Sequence, residues 1–91
     1  MILGYLRGGE TTYTLSTPST LIGREPACDI VLESRSVSGQ HATIEFSGDA
    51  AMLRDLNSRN GTFVNDTRVQ NASIRLAHGD NIRFGYGTFR D

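Results

Sequence analysis

The chain is 91 residues long, enough for one domain and not two. Its 37% hydrophobic content falls in short apolar runs along the whole length, which excludes a disordered or low-complexity chain. Nine basic and ten acidic residues give a net charge of −1, a balance that speaks against a general nucleic-acid or anionic-membrane binder.

All nine basic residues are arginine. That reads first as a bias of composition, although a guanidinium also suits bidentate phosphate contact. Cys28 is the one cysteine, so no intrachain disulfide forms and a reducing, intracellular setting is expected, nuclear or cytoplasmic. Arg7 cuts the apolar start Met1-Ile2-Leu3 too early for a secretory signal. No run approaches the ~20 apolar residues of a membrane helix. The opening Met1 and the abrupt end at Asp91 read as the N-terminal domain of a longer protein, with residues 1–91 forming a single domain.

Taken in order, Ile2 to Leu6 is a first strand, with Gly8-Gly9 as its turn. Thr11 to Leu15 alternates and is β-rich; Pro18 ends it. Thr20-Leu21-Ile22 is a short strand stopping at Gly23. Glu25 to Cys28 is a loop and Asp29 to Leu32 a strand. Glu33 to Gln40 is serine-rich and without period: an ordered loop or nothing. Ala42 to Phe46 alternates cleanly, Ser47-Gly48-Asp49 turns, and Ala51 to Leu56 returns. Asn60-Gly61 is the strongest turn signal, feeding the strand Thr62-Phe63-Val64. Asn65-Asp66 turns into Thr67-Arg68-Val69. Ser73 to Leu76, Ile82 to Phe84 and Gly87 to Arg90 complete the strands, with His78-Gly79-Asp80 as a turn. No window sustains a helical stripe. About ten to eleven short strands at this spacing predict an all-β, antiparallel sandwich. The expected core is Leu21, Ile22, Ile30, Leu32, Ile44, Phe46, Leu53, Leu56, Phe63, Val69, Leu76, Ile82 and Phe84.

The chain is organised around Asn57-Ser58-Arg59-Asn60-Gly61-Thr62-Phe63-Val64-Asn65. A strand delivers this turn and another leaves it, so Ser58, Arg59 and Asn60 are placed at an exposed loop tip, where binding residues gather. Asp55-Leu56, Ser58-Arg59-Asn60-Gly61-Thr62-Phe63-Val64-Asn65, the upstream Gly23-Arg24 and Ser38-Gly39-Gln40-His41, and the ending Gly79 to Gly85 together resemble a forkhead-associated (FHA) domain over Leu21 to Gly85. Each motif alone is common; three in order, each beside a strand, are specific.

The resemblance implies an FHA/SMAD-like sandwich that binds a phosphothreonine protein through loops at one end. It implies that Arg24 contacts the phosphate, that Ser38 donates its hydroxyl to a phosphate oxygen, and that Asn60 bonds the ligand backbone. Arg59 either adds a second positive charge or points to solvent. Arg35 either reaches a ligand residue beyond the phosphate or is a solvated charge. His41 is implied to be structural, tying the two recognition loops together, with Gly23 and Gly61 supporting the site. Gly39 departs from the family, which commonly carries Arg, Lys or Asn there; it offers a backbone N–H and no side-chain donor.

Catalysis has little footing. Ser38, His41 and Asp55 form no triad whose geometry the spacing supports, and neither a metal-ligand cluster nor a GxxxxGK[ST] loop is present. The expectation is a non-catalytic phosphopeptide-recognition module without cofactor or metal. Nucleic acid and membrane are not expected partners, and the isolated domain is expected to be a monomer or weak dimer. The alternative, motivated by Gly39, is a degenerate FHA fold used for phosphorylation-independent interaction or dimerisation.

Overall fold

Alternation along the strands sets the architecture. In the computed structural model, which describes residues 3–8 and 11–90, two sheets close on one another. The strands are β1 (Gly4–Gly8), β2 (Thr11–Leu15), β3 (Ser19–Gly23), β4 (Ile30–Val31), β5 (Ala42–Ser47), β6 (Ala50–Asp55), β7 (Thr62–Val64), β8 (Thr67–Val69), β9 (Ser73–Leu76), β10 (Asn81–Phe84) and β11 (Gly87–Arg90). One sheet has six strands in the order β2-β1-β11-β10-β7-β8; the other has five, β4-β3-β5-β6-β9. No helix is present among the described residues.

Turn chemistry fixes the registers. β5 and β6 pair from Ala42↔Asp55 to Ser47↔Ala50. β7 and β8 are joined by Asn65 and Asp66, both at positive φ (50° and 68°), as a two-residue primed turn requires. Every strand pair is antiparallel except β3–β4, where Ile22 and Gly23 pair in parallel with Ile30 and Val31. That exception has a local cause. The loop between them folds back until Asp29 Oδ2 accepts the Leu21 N–H at 2.7 Å, and the Leu32 N–H reaches Gly23 O at 2.8 Å.

Leu6, Leu15, Val64, Ile82 and Phe84 of the first sheet face Ile22, Ala42, Ile44 and Leu53 of the second. Leu32 and Val37 close the core from the loop before β5. The segment 33–40 is thus an ordered loop, since Val37 is only 2% exposed. Among the described residues the first strand runs from Gly4 to Gly8; Ile2 and Gly9 of the expected strand and turn lie outside them.

Five residues expected in the core are half-buried instead: Leu21, Phe46, Leu56, Phe63 and Leu76. Phe46 and Leu76 still pack against the core from its edge. Leu21 alternates with buried Thr20 and Ile22 and so faces outward. Phe63 is the instructive case. Thr62 and Val64 take the inward positions of β7, and the ring lies on the outer face beneath the Arg83 guanidinium, 4.0 Å from its centroid.

Leu53→Ala, at a position with no exposure, should cost about 2–5 kcal/mol through transfer and cavity terms. Leu21→Ala should lower the urea midpoint by much less, because its side chain leaves the outer face rather than the core. Equal midpoints for the two variants would contradict the assigned facing.

Candidate functional site

Three loops and one turn meet at one end of the sandwich. They are the loop after β3 (24–29), the loop before β5 (32–41), the loop after β6 (56–61), and the turn before β11 (85–86). Backbone hydrogen bonds hold them in contact. The Arg24 and Glu25 N–H groups donate to Ser38 O and Gly39 O at 3.0 and 3.1 Å. This approach is so close that a Cβ on Gly23 would stand 2.1 Å from Gly39 O, so only glycine fits there. The turn buttresses the loops from behind: the Gly85 N–H donates to Gly61 O at 2.9 Å, and the Tyr86 N–H to Ser36 Oγ at 3.0 Å.

His41 spans two of the loops. Its Nδ1 accepts the Ser38 N–H at 3.0 Å, and its Nε2 lies 2.9 Å from Gly61 O. Since a carbonyl only accepts, Nε2 carries the proton and the ring is neutral. Burial pushes its pKa below the ordinary value; the Gly61 carbonyl and the Asp55 carboxylate pull the other way and lose. With both nitrogens engaged and no exposed surface, the imidazole is closed to a substrate. It touches Ser38 through the backbone amide and not through the hydroxyl, so the Ser–His–Asp set has no catalytic geometry.

Asp55, at the end of β6, fastens the third loop. Its carboxylate accepts the Ser58 hydroxyl and N–H, the Thr62 hydroxyl at 2.8 Å and the Asn71 N–H at 2.8 Å. Burial would raise its pKa, but these donors outweigh it, with Ser58 first, and hold the carboxyl below the usual range. Ser58, placed by its sequence at an exposed loop tip, is therefore buried at 6% exposure.

In front of this frame Arg24, Arg35, Ser38, Gly39, Arg59 and Asn60 line one cleft of about 230 Å³, with Ser36 and Val37 at its floor. All the binding residues inferred from the motifs meet here. Ser38 Oγ accepts the Arg59 N–H at 3.0 Å, which uses a lone pair and leaves the hydroxyl proton to donate into the cleft. Asn60 Nδ2 donates to Ser36 O at 3.0 Å, so its amide is aimed and its Oδ1 is left to accept. Arg24, Arg35 and Arg59 are exposed, and no carboxylate of the described residues pairs with them. Three like charges on one cleft repel one another in the free protein and are relieved by an anion.

Gly39 has a φ outside the left-handed region, and a Cβ there would meet Glu25 Oε2 at 2.7 Å. Glu25 thus occupies the space a side chain at position 39 would take, with its other oxygen 3.4 Å from Gln40 Nε2. Glu25, Ser36 and Asp55 are the site's contributors that motif reading missed. The Asp-Leu ahead of the turn was the available signal for Asp55. Neither Glu25 nor Ser36 carries a local signal, because both act through contacts distant in sequence. Among the described residues no His, Cys, Asp and Glu side chains cluster to hold a metal ion. The arrangement gathers guanidinium, hydroxyl and amide groups, the donors suited to a multiply charged oxyanion.

The FHA domain family model matches residues 20–85. The FHA domain-containing protein FhaA of Mycobacterium tuberculosis is 43% identical over 79 residues, covering 87% of this chain and 15% of FhaA. The glycogen accumulation regulator GarA of Mycolicibacterium smegmatis is 38% identical over 73 residues, covering 80% of this chain and 45% of GarA. The chain thus spans less than half the length of these relatives. In solved structures, Mycobacterium tuberculosis EmbR in complex with a low-affinity phosphopeptide superposes with a TM-score of 0.90 at 36% identity, over 94% of this chain and 23% of that one.

Two buried groups, His41 and Asp55, make stability acid-sensitive. His41 has a folded pKa below its unfolded value of 6.5, so the unfolded chain takes the proton more readily. Its contribution is complete above that pH and is lost as pH falls toward the folded value. Asp55 adds a second loss, from its unfolded value of 3.8 downward through the folded one. The urea midpoint should decline from about pH 7 to about pH 5. His41→Ala should lower the neutral-pH stability by about 1–3 kcal/mol, through unsatisfied partners, and flatten that slope. A slope unchanged in the variant would rule out His41 as its source.

Proposed function

The chain belongs to the FHA family, and from that premise we propose that it is a non-catalytic module whose cleft binds a phosphothreonine segment of a partner protein. The observation that carries this reading is the convergence of Arg24, Arg35 and Arg59, none paired with a carboxylate of the described residues, around the Ser38 hydroxyl. Arg24 clamps the phosphoryl group, Ser38 donates to one of its oxygens, and Asn60 bonds the ligand backbone from its fixed amide. Arg59 adds charge at the cleft rim, and Arg35 faces the ligand residues beyond the phosphothreonine. The phosphopeptide bound by EmbR, a relative of the same fold, supports this reading.

Catalysis has no support in a site whose histidine is spent on two backbone groups. Nucleic acid is disfavoured as the cleft's ligand by the overall balance of charge, and no membrane anchor is invoked. Residues 1–91 act as one domain, monomeric or weakly dimeric when isolated, in an intracellular setting where threonine is phosphorylated. The buried free thiol of Cys28 fits that setting.

A degenerate phosphothreonine peptide library, read by titration calorimetry on the selected peptide, tests the assignment. Arg24→Ala should lose at least about tenfold in affinity, since a hydrogen bond to a charged group contributes about 1.5–3 kcal/mol. Its melting temperature should hold, because the side chain is exposed. The same peptide carrying phosphoserine should bind about fourfold or more weakly, as one methyl contributes about 0.8 kcal/mol. Binding that ignores phosphatase treatment and survives Arg24→Ala would establish a phosphorylation-independent interaction module instead.

Gly39→Asn and Gly39→Arg should tighten phosphopeptide binding by about 0.5–1.5 kcal/mol. The backbone at 39 accepts a side chain, and the obstructing atom is the far end of an exposed, flexible Glu25. Unchanged affinity in a folded variant would place the phosphate away from position 39.

A further inference from the structure

A net charge of −1 conceals a strong segregation. The six strands β1, β2, β7, β8, β10 and β11 contain Arg7, Arg68, Arg83 and Arg90 and no aspartate or glutamate. The acidic residues among those described lie in the five-stranded sheet, the loops and the turns. On the outer face of the six-stranded sheet Arg68 and Arg83 stand side by side with Phe63, to which both are cross-strand partners.

Its centre is built around the outward Phe63. The Arg83 guanidinium carbon stands 4.0 Å from the ring centroid, and that of Arg68 stands 5.9 Å from it. Stacking on a ring fixes a guanidinium while leaving its in-plane N–H groups free to meet an oxyanion. No carboxylate of the described residues pairs with either arginine. Two cations thus share one apolar anchor with no paired carboxylate among the described residues, an arrangement that an anion would relieve. The anchor is also pressed against the recognition turn. A Cβ on Gly61 would meet Phe63 Cε1 at 2.8 Å and Arg68 Nε at 3.1 Å. The platform lies against Gly61, next to Asn60, which lines the cleft.

We propose that the outer face of the six-stranded sheet, centred on Arg68 and Arg83 over Phe63, is a second anion-binding surface. It takes a carboxylate or phosphoryl group of the same partner whose phosphothreonine enters the cleft. This rests on the cleft reading above and extends it: the partner is recognised at two anions rather than one. Both sites then contribute through a single tethered chain, so a weak second contact raises the affinity of the whole.

The test uses the phosphothreonine peptide selected by the library, with neutral flanks, and a scan of aspartate or phosphoserine through the flanking positions. Wild type, Arg68→Gln/Arg83→Gln and Arg83→Lys are titrated with each peptide at low and high salt. At one or more flank positions wild type should gain up to about fivefold, the scale of an exposed charge pair. The double Gln variant should lose that gain while binding the neutral-flank peptide as wild type does. Arg83→Lys, which keeps the charge, should retain part of it, and salt should reduce it. A gain from aspartate assigns an acidic segment, and a gain from phosphoserine alone assigns a second phosphorylation. No gain at any position, or a gain that survives the double substitution, overturns the proposal while the cleft stands. Failure of every phosphothreonine peptide to bind removes both readings. A single-stranded oligonucleotide bound through Arg68 and Arg83, with no gain for any peptide, overturns the protein-partner assignment.

Discussion

A single neutral imidazole determines how far apart the loops stand. His41 has one ring nitrogen that must accept and one that must donate, and it finds a backbone N–H at Ser38 and a backbone carbonyl at Gly61. Because both contacts are to main chain, they are indifferent to the side chains that the loops carry at their tips. The ring is held edge-on to Phe84, 5.7 Å between centroids, so the core also fixes its orientation. Loop spacing is thereby coupled to the packing of the two sheets. A phosphate site whose groups come from separate loops needs such a coupling, because each group contributes only at the right distance.

Asp55 does for the third loop what His41 does between the loops. A buried carboxylate without a cationic partner is costly unless donors surround it. Here hydroxyls and amides from Ser58, Thr62 and Asn71 do so, and they lie on both sides of the Asn60-Gly61 turn. The turn is thus anchored at both its ends to one charge. This also explains the phase of β7: once Thr62 turns inward to reach Asp55, Phe63 must turn outward. The outward ring then collects Arg83 and Arg68. A polar choice in the interior has determined what the exterior displays.

Much of the fold was legible in the sequence because turn residues and strand residues carry strong local signals. Asn65-Asp66 announced its hairpin, and the alternation of Ala42 to Phe46 announced β5. Gly23-Arg24, Ser38, His41 and Asn60-Gly61 marked the cleft because each sits where a strand gives way to a loop. What stayed hidden was decided at long range. Period-two alternation says that Phe63 opposes Thr62 and Val64 but not which set faces inward, and hydrophobicity alone picks the ring. Leu15 and Val37 were missed as core for the complementary reason: isolated apolar residues between polar ones look unremarkable until a sheet closes over them. The parallel β3–β4 pair, made by two residues, has no sequence signature at all.

The close backbone approach at Gly23 bears on time as much as on shape. Main-chain hydrogen bonds stitch Arg24 and Glu25 to Ser38 and Gly39, so the walls of the cleft stand assembled before any ligand arrives. An assembled site spends little free energy on ordering loops, and it imposes no slow rearrangement on encounter. Unpaired guanidiniums at its rim add attraction at a distance for an anionic segment. Partner exchange should then be governed by how quickly the segment lets go. If the cleft binds phosphothreonine as proposed, its response would follow the making and erasing of the phosphate on the timescale of the modifying enzymes, with no lag from loop ordering.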